Sequence, residues 1–153
     1  MSNFKTEVID NSPLRRSTSR IDTLDLLYPP MRAKIEAIIA DSASGGHKLM
    51  VLETYRSPAR QEMLFRQGAT QLEKVGVHGY GLACDLAFLN ADGAVNWNAD
   101  YSVLGKLAAN HGLIWGGDWG EPDKPHSFRD YDHVQYIRVE DQDRLFGGEW
   151  YPE

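Results

Sequence analysis

Apolar residues recur at helical spacing after Pro29-Pro30, with Met31, Ile35, Ile38 and Ile39 on one face, and the pattern stops at Gly45-Gly46. A compact apolar run, Leu49-Met50-Val51-Leu52, follows and predicts a buried strand within 47–54. Ser57-Pro58 supplies an N-cap and a first helical residue, so a helix is predicted over 58–67, ending at Gly68. Leu82 to Leu89 predicts a second strand. Leu82, Cys84, Leu86 and Phe88 face the core, while Ala83, Asp85, Ala87 and Leu89 face the other way. Asp92-Gly93 marks a turn. A third helix runs from Asp100 to about Asn110, with Gly112 as its stop. Leu113-Ile114-Trp115 leads into a Gly-rich turn. A last strand is predicted from His133 to Val139, with His133, Gln135, Ile137 and Val139 on one face. Helices mixed with a mostly antiparallel sheet predict a small α+β fold.

The chain has 153 residues, which favours one domain over 1–153, with residues 1–20 as an irregular lead-in. No apolar run approaches the roughly 18 residues that span a bilayer, and the N-terminus lacks the apolar stretch of a secretory signal. The expectation is a monomer made in the cytoplasm, with no membrane partner. Cys84 is the only cysteine, which excludes an internal disulfide and a cysteine-based zinc cluster. The net charge of −6 argues against general nucleic-acid binding, which relies on phosphate neutralisation. Arg15, Arg16 and Arg20 are expected to form a solvated arm.

The chemistry concentrates in two places. His78 and Asp85 stand seven residues apart, and Asp130 and His133 follow about fifty residues later. Catalytic zinc takes three protein ligands, an open fourth position and a nearby acid/base. His78, Asp85 and His133 supply the ligands, and the small Ala83 and Ala87 leave room beside Asp85. Asp130 must lie in the turn before the last strand, where it can take a proton and pass it to a leaving amine. Asp132 is a rival, placed less well by its adjacency to His133. His47, His111 and His126 fall outside the pattern; His111 suits a helix C-terminus. Trp115 fits core packing, and Trp119 is a candidate for the substrate groove. Gly116-Gly117 is not a phosphate loop, since no Lys and no helix accompany it.

These motifs resemble those of the M15 zinc peptidases. The family pattern Ser-x-His-x-x-Gly-x-Ala-x-Asp is met by His78, Gly81, Ala83 and Asp85, and its Asp/Glu-x-x-His by Asp130 and His133. Tyr55-Arg56-Ser57 with Gln61, Leu64 and Gln67-Gly68 resembles the family's Arg-Ser…Gln segment. Gly112 to Trp119 resembles the segment before the last ligand in the phage endolysin-like branch. The resemblance covers about Leu24 to Ile137. It departs at Gly76, where the family usually has Ser, at Val134, where an aromatic is usual, and in the longer loop Glu121–Ser127.

The resemblance implies a sheet-and-helix fold like that of the D-Ala-D-Ala peptidases and the Hedgehog signalling domain. It implies one zinc on His78, Asp85 and His133, with Asp130 as base and Arg56 steadying the substrate carbonyl or oxyanion. Ser57, Gln61 and Trp119 are expected to touch substrate. The implied function is hydrolysis of peptidoglycan stem peptides, as an L-alanyl-D-glutamate endopeptidase of a phage or prophage, released through a holin. A D-alanyl-D-alanine carboxypeptidase is the alternative. A non-catalytic zinc-containing binding module is a rival that the presence of both Asp130 and Arg56 argues against.

Overall fold

The computed structural model describes residues 2–68, 76–118 and 130–152. Their four strands are β1 (Leu49–Glu53), β2 (Ala83–Phe88), β3 (Ile114–Trp115) and β4 (His133–Gln135). They form one antiparallel sheet in the order β1-β2-β4-β3. The main helices are α1 (Pro29–Ser44), α2 (Pro58–Arg66), α3 (Ser102–Asn110) and the short α4 (Gln142–Phe146). No helix among the described residues is long and apolar enough to cross a membrane.

The core explains the order. Met31, Ile35 and Ile38 of α1 and Leu104 and Ala108 of α3 pack with Cys84, Leu86 and Phe88 of β2 and with Val134. These residues share one face of the sheet, as the alternation in β2 predicts. Leu82 differs: it precedes the strand and joins a second cluster with Val77, Ile137 and Leu145. Val134 is fully buried in the main core.

The helix starts follow local chemistry. The Ser57 hydroxyl accepts a hydrogen bond from the Arg60 N–H, and Pro58 occupies the first turn of α2. The Asp100 carboxylate accepts from the N–H and hydroxyl of Ser102 at the start of α3. At the other end, Gly112 turns away with φ +74° and the Lys34 ammonium donates to the His111 carbonyl. His111 pairs through Nε2 with Asp41 at 2.7 Å, a more specific tie than the helix dipole alone.

Two expectations need correction. The last strand does not reach Val139. It ends at Gln135, whose side-chain amide donates to the Ile137 carbonyl, and the chain then turns through Val139–Asp141 into α4. The N-terminal segment is not a loose lead-in. Lys5–Ile9 forms a helical turn that buries Ile9. Carbonyls of Arg15, Ser17, Thr18 and Ile21 accept hydrogen bonds from Tyr55, Ser57, Arg60 and Thr54. Only the side chains of the basic arm remain solvated: Arg15, Arg16 and Arg20 are exposed.

Candidate metal centre

The face of the sheet opposite the core carries the site. Directly paired residues in an antiparallel sheet share a face. Asp85 of β2 pairs with His133 of β4 on one side and with Glu53 of β1 on the other. A bulge between Val51 and Glu53 shifts the register of β1 and brings Glu53 opposite Asp85. His78 enters from the helical turn Val77–Tyr80, just before β2. Gly81 lets the chain pass from this turn to the strand. It has φ +72°, and a Cβ there would meet the Leu26 carbonyl at 2.7 Å.

His78, Asp85 and His133 converge, all buried. Asp85 Oδ1 lies 3.2 Å from His78 Nε2 and 3.2 Å from His133 Nδ1. The outer nitrogens settle the tautomers. His78 Nδ1 is 2.8 Å from the Thr54 carbonyl, which can only accept, so Nδ1 carries the proton. His133 Nε2 is 2.9 Å from Gln135 Oε1. The Gln135 amide is oriented by donating to the Ile137 carbonyl and to Gln142 Oε1. Neutral imidazoles held this way turn two bare lone pairs toward one carboxylate oxygen. That arrangement calls for a cation between them.

The donor set fits zinc. A tetrahedral site with bonds of about 2.0–2.1 Å separates its ligand atoms by roughly 3.3 Å, close to the spacing seen. Where no cation is held, a proton takes its place between the three groups. Burial raises the Asp85 carboxyl, but the charges of His78 and His133 and their hydrogen bonds outweigh it and hold Asp85 far below the usual range. Burial lowers His133, and the hydrogen bond and charge of Asp85 outweigh that, so His133 is raised.

Around this centre stand further carboxylates. Asp85, Asp130 and Asp132 offer oxygens within 4.8 Å of one another. Asp130 lies in the turn before β4, as expected, and its carbonyl accepts from the His133 N–H at 3.3 Å. The structure also brings in Asp132, despite its adjacency to His133. Burial, a hydrogen bond with Asp130 and the charges of Asp85 and Asp130 push the Asp132 carboxyl up to about 10. Asp132 thus stands as the hydrogen-bonded neighbour of Asp130, the residue expected as base.

Arg56 is embedded rather than free. Its Nη2 lies 2.7 Å from Glu53 Oε1 and 3.6 Å from Asp85 Oδ2, and its Nη1 donates to Gln61 Oε1 at 3.3 Å. The guanidinium thus separates two carboxylates that face each other across the strands. Arg60 pairs with the other oxygen of Glu53. Burial raises the Glu53 carboxyl, but the hydrogen bonds from Arg56 and Arg60 bring it below its usual value. The Nε of Arg56 is buried without a hydrogen-bond partner among the described residues.

Other expected substrate contacts are placed differently. Ser57 is fully buried, its hydroxyl donating to the Ser17 carbonyl while capping α2, so it straps the N-terminal segment instead of facing a ligand. Gln61 is buried and accepts from Arg56. Trp119 and the loop Glu121–Ser127 lie outside the described residues. Trp115 packs against the core, as expected, and its indole N–H donates to the Tyr131 carbonyl at 2.7 Å. Sequence reasoning missed Thr54, Gln135, Glu53 and Arg60.

The chain is similar to known peptidases. Residues 70–136 match the Peptidase M15 family model described as D-alanyl-D-alanine carboxypeptidase. Over these residues the chain resembles the M15 peptidases. It is 29% identical over 129 residues to the peptidoglycan L-alanyl-D-glutamate endopeptidase CwlK of Bacillus subtilis (strain 168), covering 72% of this chain and 74% of CwlK. It is 35% identical over 101 residues to the L-alanyl-D-glutamate peptidase of Listeria phage A118, covering 62% of this chain but only 35% of the phage enzyme. Among solved structures, the Serratia marcescens L-Ala D-Glu endopeptidase ChiX superposes with a TM-score of 0.61 at 24% identity, over 79% of this chain and 92% of ChiX. The D,D-pentapeptidase VanY, solved as an E175A mutant with Zn(II), gives 0.56 at 15% identity over 79% and 78% of the two chains. These structural likenesses show the α+β fold.

Proposed function

We propose that this chain is a zinc peptidase of peptidoglycan that hydrolyses the L-alanyl–D-glutamate bond of the stem peptide, with one zinc on His78, Asp85 and His133. The observation that carries the zinc reading is the pair of imidazole lone pairs fixed against Asp85 by the Thr54 carbonyl and the Gln135 amide. The choice of bond is supported by CwlK and the phage A118 enzyme, both named for that cleavage. The family model is described by carboxypeptidase activity, which keeps removal of terminal D-Ala as the second reading.

When bound, the ion supplies Lewis acidity and brings the pKa of a water down to about 7. Asp130, beside Asp85 at the mouth of the site, takes the proton from the attacking water and returns it to the departing amine. Asp132 donates to Asp130 and holds it in place. Arg56 fixes the outer oxygen of Asp85 and sets positive charge where the carbonyl oxygen gains negative charge. The endolysin role is supported by the likeness to the phage enzyme.

Mass analysis of purified muropeptides after digestion tests the reading. New N-terminal D-Glu is the expected product. Loss of terminal D-Ala alone would establish the carboxypeptidase instead. Intact muropeptides in the presence of a full complement of zinc would leave only a binding role.

A further inference from the structure

Resting on the endopeptidase reading above, we infer that the cleft between the loop carrying Trp97 and the turn carrying Asp130 and Tyr131 holds the N-acetylmuramyl sugar next to the scissile bond. The cleft has a volume of about 510 Å³. It shares Asp130 and Asp132 with the carboxylate cluster around Asp85, so it opens directly off the reacting centre.

Its walls are aromatic. Trp97 is 62% exposed and Tyr131 51%, unusual for such large rings on a surface. Trp97 stacks on Tyr101 with centroids 6.4 Å apart and planes 15° from parallel. The mounting is firm. The Tyr101 hydroxyl donates to the Asn96 carbonyl at 2.9 Å and accepts from the Phe88 N–H. The Asn96 N–H donates to the Phe88 carbonyl, and the Asn96 side chain accepts from the Asn98 N–H. A flat ring presented on a braced loop is a platform whose ordering cost is already met on folding.

Charge and length choose the occupant. Asp100, Asp130 and Asp132 line the cleft and offer acceptors to hydroxyl and amide N–H groups. Asp100 and Asp130 repel the carboxylates of the stem peptide beyond D-Glu. In the glycan strand the muramyl lactyl carboxyl is amidated to L-Ala, so that sugar is neutral. Only the lactyl group and L-Ala, a reach of about 7 Å, separate the sugar ring from the L-Ala–D-Glu bond. A neutral ring therefore lies within about 7 Å of the scissile bond.

The test compares one stem tetrapeptide with and without N-acetylmuramic acid on its L-Ala, using full-length enzyme loaded with zinc. The release of new N-terminal D-Glu gives kcat and KM. Wild type should show a lower KM for the muramyl substrate. Trp97→Ala should raise that KM about five- to tenfold with kcat little changed, and should leave the free peptide unaffected. Trp97→Phe should restore most of the difference. Trp97 is surface-placed, so the melting temperature should hold, which separates a binding loss from misfolding. Equal losses on both substrates, as from contact with a peptide amine, would overturn the inference. So would no loss on either, or equal wild-type KM values for the two. If wild type cuts the D-Ala end instead, or neither substrate, the endopeptidase reading fails and this subsite falls with it; cleavage at L-Ala–D-Glu without sugar discrimination sinks the subsite alone.

Discussion

The Nε2 of His133 lies 2.9 Å from Oε1 of Gln135, two residues along the same face of β4. The contact decides which nitrogen of His133 faces Asp85, and the Gln135 amide is itself locked by the Ile137 carbonyl and Gln142. Partners of this kind typically contribute 10–100-fold in metal affinity. Gln135→Ala should weaken zinc binding by about that factor, and Gln135→Glu should retain it. Competition against a chromophoric chelator measures both. Unchanged affinity in Gln135→Ala would mean that the ring is held by packing alone.

The two aspartates before β4 should separate cleanly. Asp130→Asn should keep zinc and lose about 10²–10⁴-fold in kcat, because an amide cannot take the proton. Asp132→Asn keeps a hydrogen-bond donor toward Asp130 and should retain most turnover. Zinc content and kcat on a purified stem peptide decide the matter. A dead Asp132→Asn beside an active Asp130→Asn would reverse the assignment.

What could be read in the sequence was the part written in side-chain types. His78, Asp85, Asp130 and His133 announce themselves by spacing, and the alternation in β2 placed Asp85 opposite the core. The supporting groups carry no such signature. Thr54 acts through its carbonyl, which every residue has. Glu53 reaches Asp85 only because of a bulge at the end of β1, and a bulge has no fixed residue code. The N-terminal segment looked irregular because its docking relies on carbonyls of Arg15, Ser17, Thr18 and Ile21. Gln135 was legible as a neighbour on the His133 face, but its partner depends on how soon β4 ends.

The Gly116-Gly117 pair has a steric purpose that can be tested. A Cβ on Gly116 would lie 2.1 Å from the Asp130 carbonyl oxygen, and one on Gly117 would lie 2.2 Å from Cζ2 of Trp115. Gly116→Ala should displace the Asp130 turn and lower kcat by at least about tenfold, since small misplacements of a catalytic group are costly. Gly93, with φ +88° and open space around it, is the contrast. Gly93→Asn should cost only a modest strain and leave kcat intact. Equal kcat for the Gly116→Ala variant and wild type would show that the turn accommodates the methyl group.

The Glu53–Arg56–Asp85 row should govern stability as well as chemistry. Removing a cation from between two buried carboxylates costs about 3–5 kcal/mol. Arg56→Met should therefore lower the melting temperature by roughly 6–20 °C in a chain of this size. Arg56→Lys should keep zinc and more of the stability, yet lose activity, because an ammonium cannot span Glu53, Gln61 and Asp85 as the guanidinium does. The pH dependence has a definite sign. The Glu53 carboxyl is held below its ordinary value by Arg56 and Arg60 against the opposing effect of burial. Its contribution is fully present above the unfolded value near 4.5 and is lost as pH falls through the lower folded value. Thermal unfolding of wild type and Glu53→Gln from pH 7 to pH 3 should thus show a gap that is widest above about pH 5 and narrows in acid. A gap that widens in acid would mean that Glu53 is protonated in the folded protein and that Arg56 answers to Asp85 alone.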